Sequence, residues 1–148
     1  MFASILVGTD GSDTATTAVR YAIDLARELG ARLLIVSAYE PVSAHRLQSE
    51  KLEVPEDLQW MVNPREDVLA MLAQAEGDAR DAGLNEVESF ARQGDAADAI
   101  LDVAEEQRAD LIVVGNRGMT GAKRFLLGSV PNKVSHHAPC SVLIVRTT

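Results

Sequence analysis

The chain has 148 residues, 47% hydrophobic and 24% charged, the make-up of an ordinary globular domain, which disfavours disordered and fibrous classes. No apolar run is long enough to cross a bilayer, and a net charge of −8 argues against non-specific binding to nucleic acid. One domain over residues 1–148 is therefore expected.

Ser4 to Thr9 (SILVGT) is a short apolar run ending in the breakers Asp10-Gly11-Ser12, the pattern of a buried strand followed by a helix cap. The stretch before it, from Met1, carries no basic leader or cleavage site, so a cytoplasmic address is expected. Ala15, Ala18, Val19, Ala22, Ala26 and Leu29 then recur at spacings of three and four, predicting a helix from Ser12 to Leu29 that stops at Gly30. Leu33 to Tyr39 is continuously apolar in its first four residues, as in a strand covered on both faces.

Glu40 to Pro64 contains Pro41, Pro55 and Pro64 and reads as a long loop with room for a turn of helix, anchored on the sheet by Trp60 and Met61. Helical spacing returns at Val68, Leu72, Ala75, Ala79 and Ala82, up to Gly83. Val87 to Arg92 is a weaker strand, and Asp95 is placed to cap a helix carrying Ala97, Ile100, Leu101 and Ala104. Leu111 to Val114 is the fourth strand, Ser129 to His137 a helix and Ser141 to Val145 the fifth strand.

Strand and helix thus alternate throughout, which predicts an α/β fold with a doubly wound parallel sheet. Ligands of such sheets bind beyond the carboxyl ends of the strands where the strand order reverses. Glycine-rich turns follow the first and fourth strands, so the crevice is expected between them.

Charge points to the same region. Residues 1–110 hold all 22 acidic residues and 9 of the 14 basic ones, whereas residues 111–148 hold Arg117, Lys123, Arg124, Lys133 and Arg146 with no acid. Such a basic island attracts an anion.

The turn after the fourth strand reads Gly115-Asn116-Arg117-Gly118, then nine residues, then Gly128-Ser129. Glycine at these points lets the backbone bend tightly and present N–H groups to an anion. Ser129 can cap the following helix or donate its hydroxyl to a phosphate at the helix N-terminus. Pro131, in the first helical turn, removes one amide from that end.

This Gly-x-x-Gly, nine-residue, Gly-Ser pattern resembles the nucleotide-binding motif of the universal stress protein family. The likeness extends through Val7-Gly8-Thr9-Asp10-Gly11-Ser12 and Ser141-Val142-Leu143-Ile144-Val145-Arg146, covering almost the whole chain. It implies a five-stranded parallel sheet in the order 3-2-1-4-5 with helices on both faces, bound ATP, and homodimers. By position, Gly8, Thr9 and Asp10 would border the adenosine and the Ala38 backbone would meet the adenine edge. Val114, Gly115, Arg117, Gly118, Gly128, Ser129 and Val130 would surround the ribose and phosphates. Pro131 departs from the small or hydroxyl residue often found there. Gly128-Ser129-Val130-Pro131 also looks like a mycobacterial branch that binds cyclic AMP, whose single phosphate needs fewer donors.

Asp10 has two readings. It either bonds ribose hydroxyls or a nucleotide-bound magnesium ion, or it caps the first helix. His136, His137 and Cys140 lack the further ligands of a metal site, and Cys140 reads as a buried small residue.

No constellation beyond Asp10 supplies the base and charge clamp that ATP hydrolysis requires, so a sensor or carrier with little or no turnover is expected rather than an enzyme. Two rival functions remain. Thr9-Asp10-Gly11-Ser12-Asp13-Thr14 resembles the Ser-Gly-Gly-x-Asp-Ser loop of adenylating ATP pyrophosphatases, but Asp10 replaces its first glycine and would repel pyrophosphate. Alternatively the loop is vestigial and the chain is an interaction module, dimerising through the flat, uncharged strand Val142 to Val145.

Overall fold

The computed structural model describes residues 1–40, 64–116 and 129–147. Its five strands are β1 (Ser4–Gly8), β2 (Arg32–Tyr39), β3 (Val87–Gln93), β4 (Leu111–Gly115) and β5 (Ser141–Val145). They form one parallel sheet in the order β3-β2-β1-β4-β5, the expected topology.

Both faces of the sheet are covered, which explains the continuous apolar runs. Ile5, Val7, Leu33, Ile35 and Val113 face one layer, built from α1 (Asp13–Leu29) and α2 (Pro64–Asp81). Leu6, Leu34, Val36, Ile112 and Val114 face the other, built from α3 (Ala96–Glu106) and α4 (Ser129–His137). β3 and β5 lie at the edges, where an alternating or partly exposed strand is tolerated.

Local chemistry sets the boundaries. Ser12 Oγ accepts the Ala15 N–H at 3.2 Å and caps α1. The Asp10 carboxylate instead accepts the Ser12 N–H at 2.9 Å, closing a turn just ahead of the helix. Of the two roles weighed for Asp10, capping α1 therefore belongs to Ser12. Gly11 between them has φ +82°, and a Cβ there would lie 2.6 Å from Met71 Sδ of α2, so neither the backbone nor the space suits another residue.

α2 begins on Pro64 itself, where a missing N–H costs the helix nothing. The irregular stretch expected before it, with Trp60 and Met61, lies outside the described residues. At the opposite end of the sheet, Asp110 accepts the N–H groups of Ala3 and Ser4 at 2.9 and 3.0 Å. This pins the start of β1 to β4 in the register Ile5 to Leu111.

Asp95 caps α3, accepting the Asp98 N–H at 3.1 Å. Lys133 of α4 reaches across to Asp98 at 2.8 Å and to Asp95 at 3.4 Å, tying together the two helices of one layer. The Asp98 amide, and then the Lys133 charge, hold the Asp95 carboxyl below its ordinary value of 3.8 against an opposing effect of burial. A lowered carboxyl stabilises the fold above the ordinary value, and that contribution is lost as pH falls through the folded one. Asp95→Ala is therefore expected to cost about 1 kcal/mol at neutral pH. In urea unfolding curves, the gap between variant and wild type should narrow once pH drops below 3.8.

Candidate functional site

From β1 the chain turns onto the face of α1, and from β4 onto the opposite face, that of α4. Residues at the carboxyl ends of these adjacent strands, where the strand order reverses, line a cleft.

Its floor is formed by residues at three strand ends. β1 contributes Gly8 and the following Thr9 and Asp10; β2 contributes Val36, Ser37 and Ala38; β4 contributes Val114 and Gly115. Thr9 has left β1, yet its N–H still donates to Val36 O at 2.9 Å, so the exit from β1 stays aligned with β2. Thr9 Oγ1 accepts the Gly11 N–H at 3.1 Å, which bends the chain away from the floor.

The walls are helical. Ala96 and Ile100 of α3 and Val130 and Pro131 of α4 line the cleft, from two helices that cover the same face of the sheet. Ile100 also explains Gly8: a Cβ at that position would lie 2.4 Å from Ile100 Cδ1 and 2.9 Å from Cγ1. The glycine lets α3 close against the strand end and form the wall. The result is a slot lined mostly by apolar residues and glycine with few polar side chains, the make-up of a small-molecule site. Among the described lining residues Asp10 is the one charged side chain.

Eight of the residues singled out in the sequence meet in this cleft: Gly8, Thr9, Asp10, Ala38, Val114, Gly115, Val130 and Pro131. Ser129 opens α4 and is exposed, one residue outside the wall. Arg117, Gly118 and Gly128 lie outside the described residues. Val36, Ser37, Ala96 and Ile100 were not foreseen as lining; the first two follow from Ala38 being a neighbour on β2, but nothing in the α3 sequence separates a cleft wall from ordinary core.

One member of the basic island has acidic partners in the fold. Lys133 is engaged by Asp98 and Asp95, and the hydrogen bond to Asp98 holds its ammonium above the ordinary lysine value. Arg117, Lys123 and Arg124 lie outside the described residues. Burial, then the Asp110 charge, pushes the Cys140 thiol up, which disfavours the thiolate and agrees with a packing role against the α3 layer. His136 and His137 are exposed at the end of α4, and among the described residues no three metal-ligating side chains gather.

Residues 1–146 match the universal stress protein family. The chain belongs to that family. A universal stress protein of Mycobacterium tuberculosis is 37% identical over 147 residues, covering 99% of this chain and 98% of the relative. A solved universal stress protein in complex with cAMP is 33% identical with a TM-score of 0.73, covering 99% of this chain and 98% of the other. The universal stress protein of Archaeoglobus fulgidus in complex with dAMP is 25% identical with a TM-score of 0.67, covering 98% of each chain.

In this universal stress protein the wall of the cleft rests on one steric match, which a double-mutant cycle can measure. Gly8→Ala should cost about 1–3 kcal/mol by overpacking against Ile100. Ile100→Ala alone should cost about 2–5 kcal/mol. Together they should cost clearly less than their sum in urea unfolding, because the smaller side chain clears the new methyl; strict additivity would contradict the contact.

Proposed function

We propose that this universal stress protein binds an adenine nucleotide in the cleft between β1 and β4 and acts as a stress-response sensor or carrier with little or no hydrolysis. The observation that carries this reading is the convergence of Gly8, Ala38 and Gly115, from three separate strands, on one slot at the point where the strand order reverses. The adenine would lie between the apolar walls with its edge on the Ala38 backbone. The ribose would reach Asp10 and Thr9. The phosphates would meet the Gly115 turn and the glycine-spaced residues Arg117, Gly118, Gly128 and Ser129 beside Val130. The relatives in complex with cAMP and dAMP support an adenine ligand.

ATP is the ligand for which the full glycine spacing provides, with a magnesium ion carried on its phosphates and Asp10 within reach as a partner. Cyclic AMP is a second reading, favoured by Pro131, which lines the cleft and has no N–H to offer an outer phosphate. The adenylating alternative is disfavoured, since Asp10 and Ser12 already occupy the amides of Ser12 and Ala15 that would have to receive pyrophosphate.

Calorimetric titration with ATP, ADP, AMP and cyclic AMP tests the reading. Binding should be lost in Gly118→Val and weakened about tenfold in Ser129→Ala. Affinities unchanged in both variants, or rapid multiple-turnover release of phosphate from magnesium ATP, would contradict it.

We further propose a homodimer through β5. Leu143 and Ile144 on this edge strand are 39% and 36% exposed, and no charge interrupts the strand. The opposite edge strand, β3, carries Glu88 and an Arg92 that pairs with Glu106 at 2.7 Å, charges that discourage edge-to-edge pairing. Light scattering should give twice the chain mass for wild type and a monomer for Leu143→Lys; a monomeric wild type at working concentration would refute the interface.

A further inference from the structure

The Gly115-Asn116-Arg117-Gly118 turn contains one polar residue to which neither the spacing nor the family resemblance gives a role, Asn116. It lies just past the end of β4. Its N–H donates to Val145 O at 2.9 Å, continuing the β4–β5 ladder one step beyond the Gly115 to Val145 register. Its side chain makes the next link: Asn116 Oδ1 accepts both the Thr147 N–H at 2.8 Å and the Thr147 Oγ1–H at 3.0 Å. One amide oxygen thus receives two donors from the chain that follows β5. Three hydrogen bonds hold the residue next to Gly115, and Gly115 is part of the cleft floor.

We infer that Asn116 and Thr147 form a positioning clamp, in which the C-terminal tail holds the Gly115 bend in the geometry that receives the ligand, and ligand binding in turn fastens the tail. This rests on the nucleotide reading of the cleft. Gly115 closes β4 in register with Val145 and the chain bends at Asn116; a glycine beside that bend has more backbone freedom to lose than another residue, so ordering it on binding would cost conformational entropy. A clamp on the adjoining residue removes that freedom beforehand. The second half follows from linkage: a tail contact that raises affinity for the ligand must itself be strengthened by the ligand to the same degree. Asn116 and Thr147 act through the Gly115 backbone, not by touching the nucleotide.

The test uses the full chain with ATP and cyclic AMP as the probes. Calorimetric affinities are compared for wild type, Thr147→Val, Thr147→Ser and Asn116→Leu, together with hydrogen exchange at the C-terminal residues with and without nucleotide. Asn116→Leu, which removes the acceptor, should bind about tenfold more weakly. Thr147→Val keeps the shape and the backbone donor but loses the hydroxyl, and should fall in between; Thr147→Ser restores the hydroxyl and should bind as wild type does. Nucleotide should slow exchange of the Thr147 amide in wild type and leave it unchanged in Asn116→Leu, a response that a merely structural contact would not give. Should wild type bind while both weakened variants bind equally well, with no nucleotide effect on tail exchange, the clamp is refuted and the nucleotide reading survives. Should wild type bind neither probe, both fall together.

Discussion

The arrangement depends on one constraint: the chain must leave two adjacent parallel strands, β1 and β4, toward opposite faces of the sheet. α1 packs over Ile5 and Val7, while α4 packs over Ile112 and Val114, so the helices that follow these two strands part to opposite faces of the sheet. At that point residues at the ends of β1, β2 and β4 line a slot. α3 completes that slot by lying close against the end of β1, an approach possible because residue 8 has no side chain. The site is therefore a consequence of topology, refined by one glycine and a few walls of modest size.

Much of this was legible in the sequence because the central strands are buried on both faces and so write themselves as unbroken apolar runs. The helix cap Asp95 was equally readable, since capping is a local event spanning three residues, whereas within Asp10-Gly11-Ser12 the sequence put Asp10 forward and the cap belongs to Ser12. The crevice between β1 and β4 followed from the alternation of elements together with glycine at their ends. What escaped is long-range pairing. Lys133 counted as part of a basic island until the packing of α3 against α4 set it beside Asp95 and Asp98, more than thirty residues away in the chain. Asn116 met Thr147, 31 residues on, because of the register between β4 and β5. Neither residue type announces its partner. Ile100 was legible as core but not as a wall, because the two roles differ only in what stands on the far side.

Among the described residues Lys133 is the member of the basic island whose acidic partners are seen, Asp95 and Asp98. An acidic chain can receive an anionic ligand if backbone amides at a bend and a helix N-terminus are turned toward it, and such donors do not appear in a charge count. Two of the acids near the cleft are already engaged locally, Asp10 with the Ser12 amide and Asp95 with Lys133 and the Asp98 amide.

The most direct test of the central claim is an amide NMR titration of the full chain with ATP and, separately, cyclic AMP. If the cleft is the site, the largest shift changes should fall on Gly8, Thr9, Ala38 and Gly115, on three different strands, and should saturate together along one binding curve. Saturable changes that cluster elsewhere and leave these four amides unmoved would contradict the account.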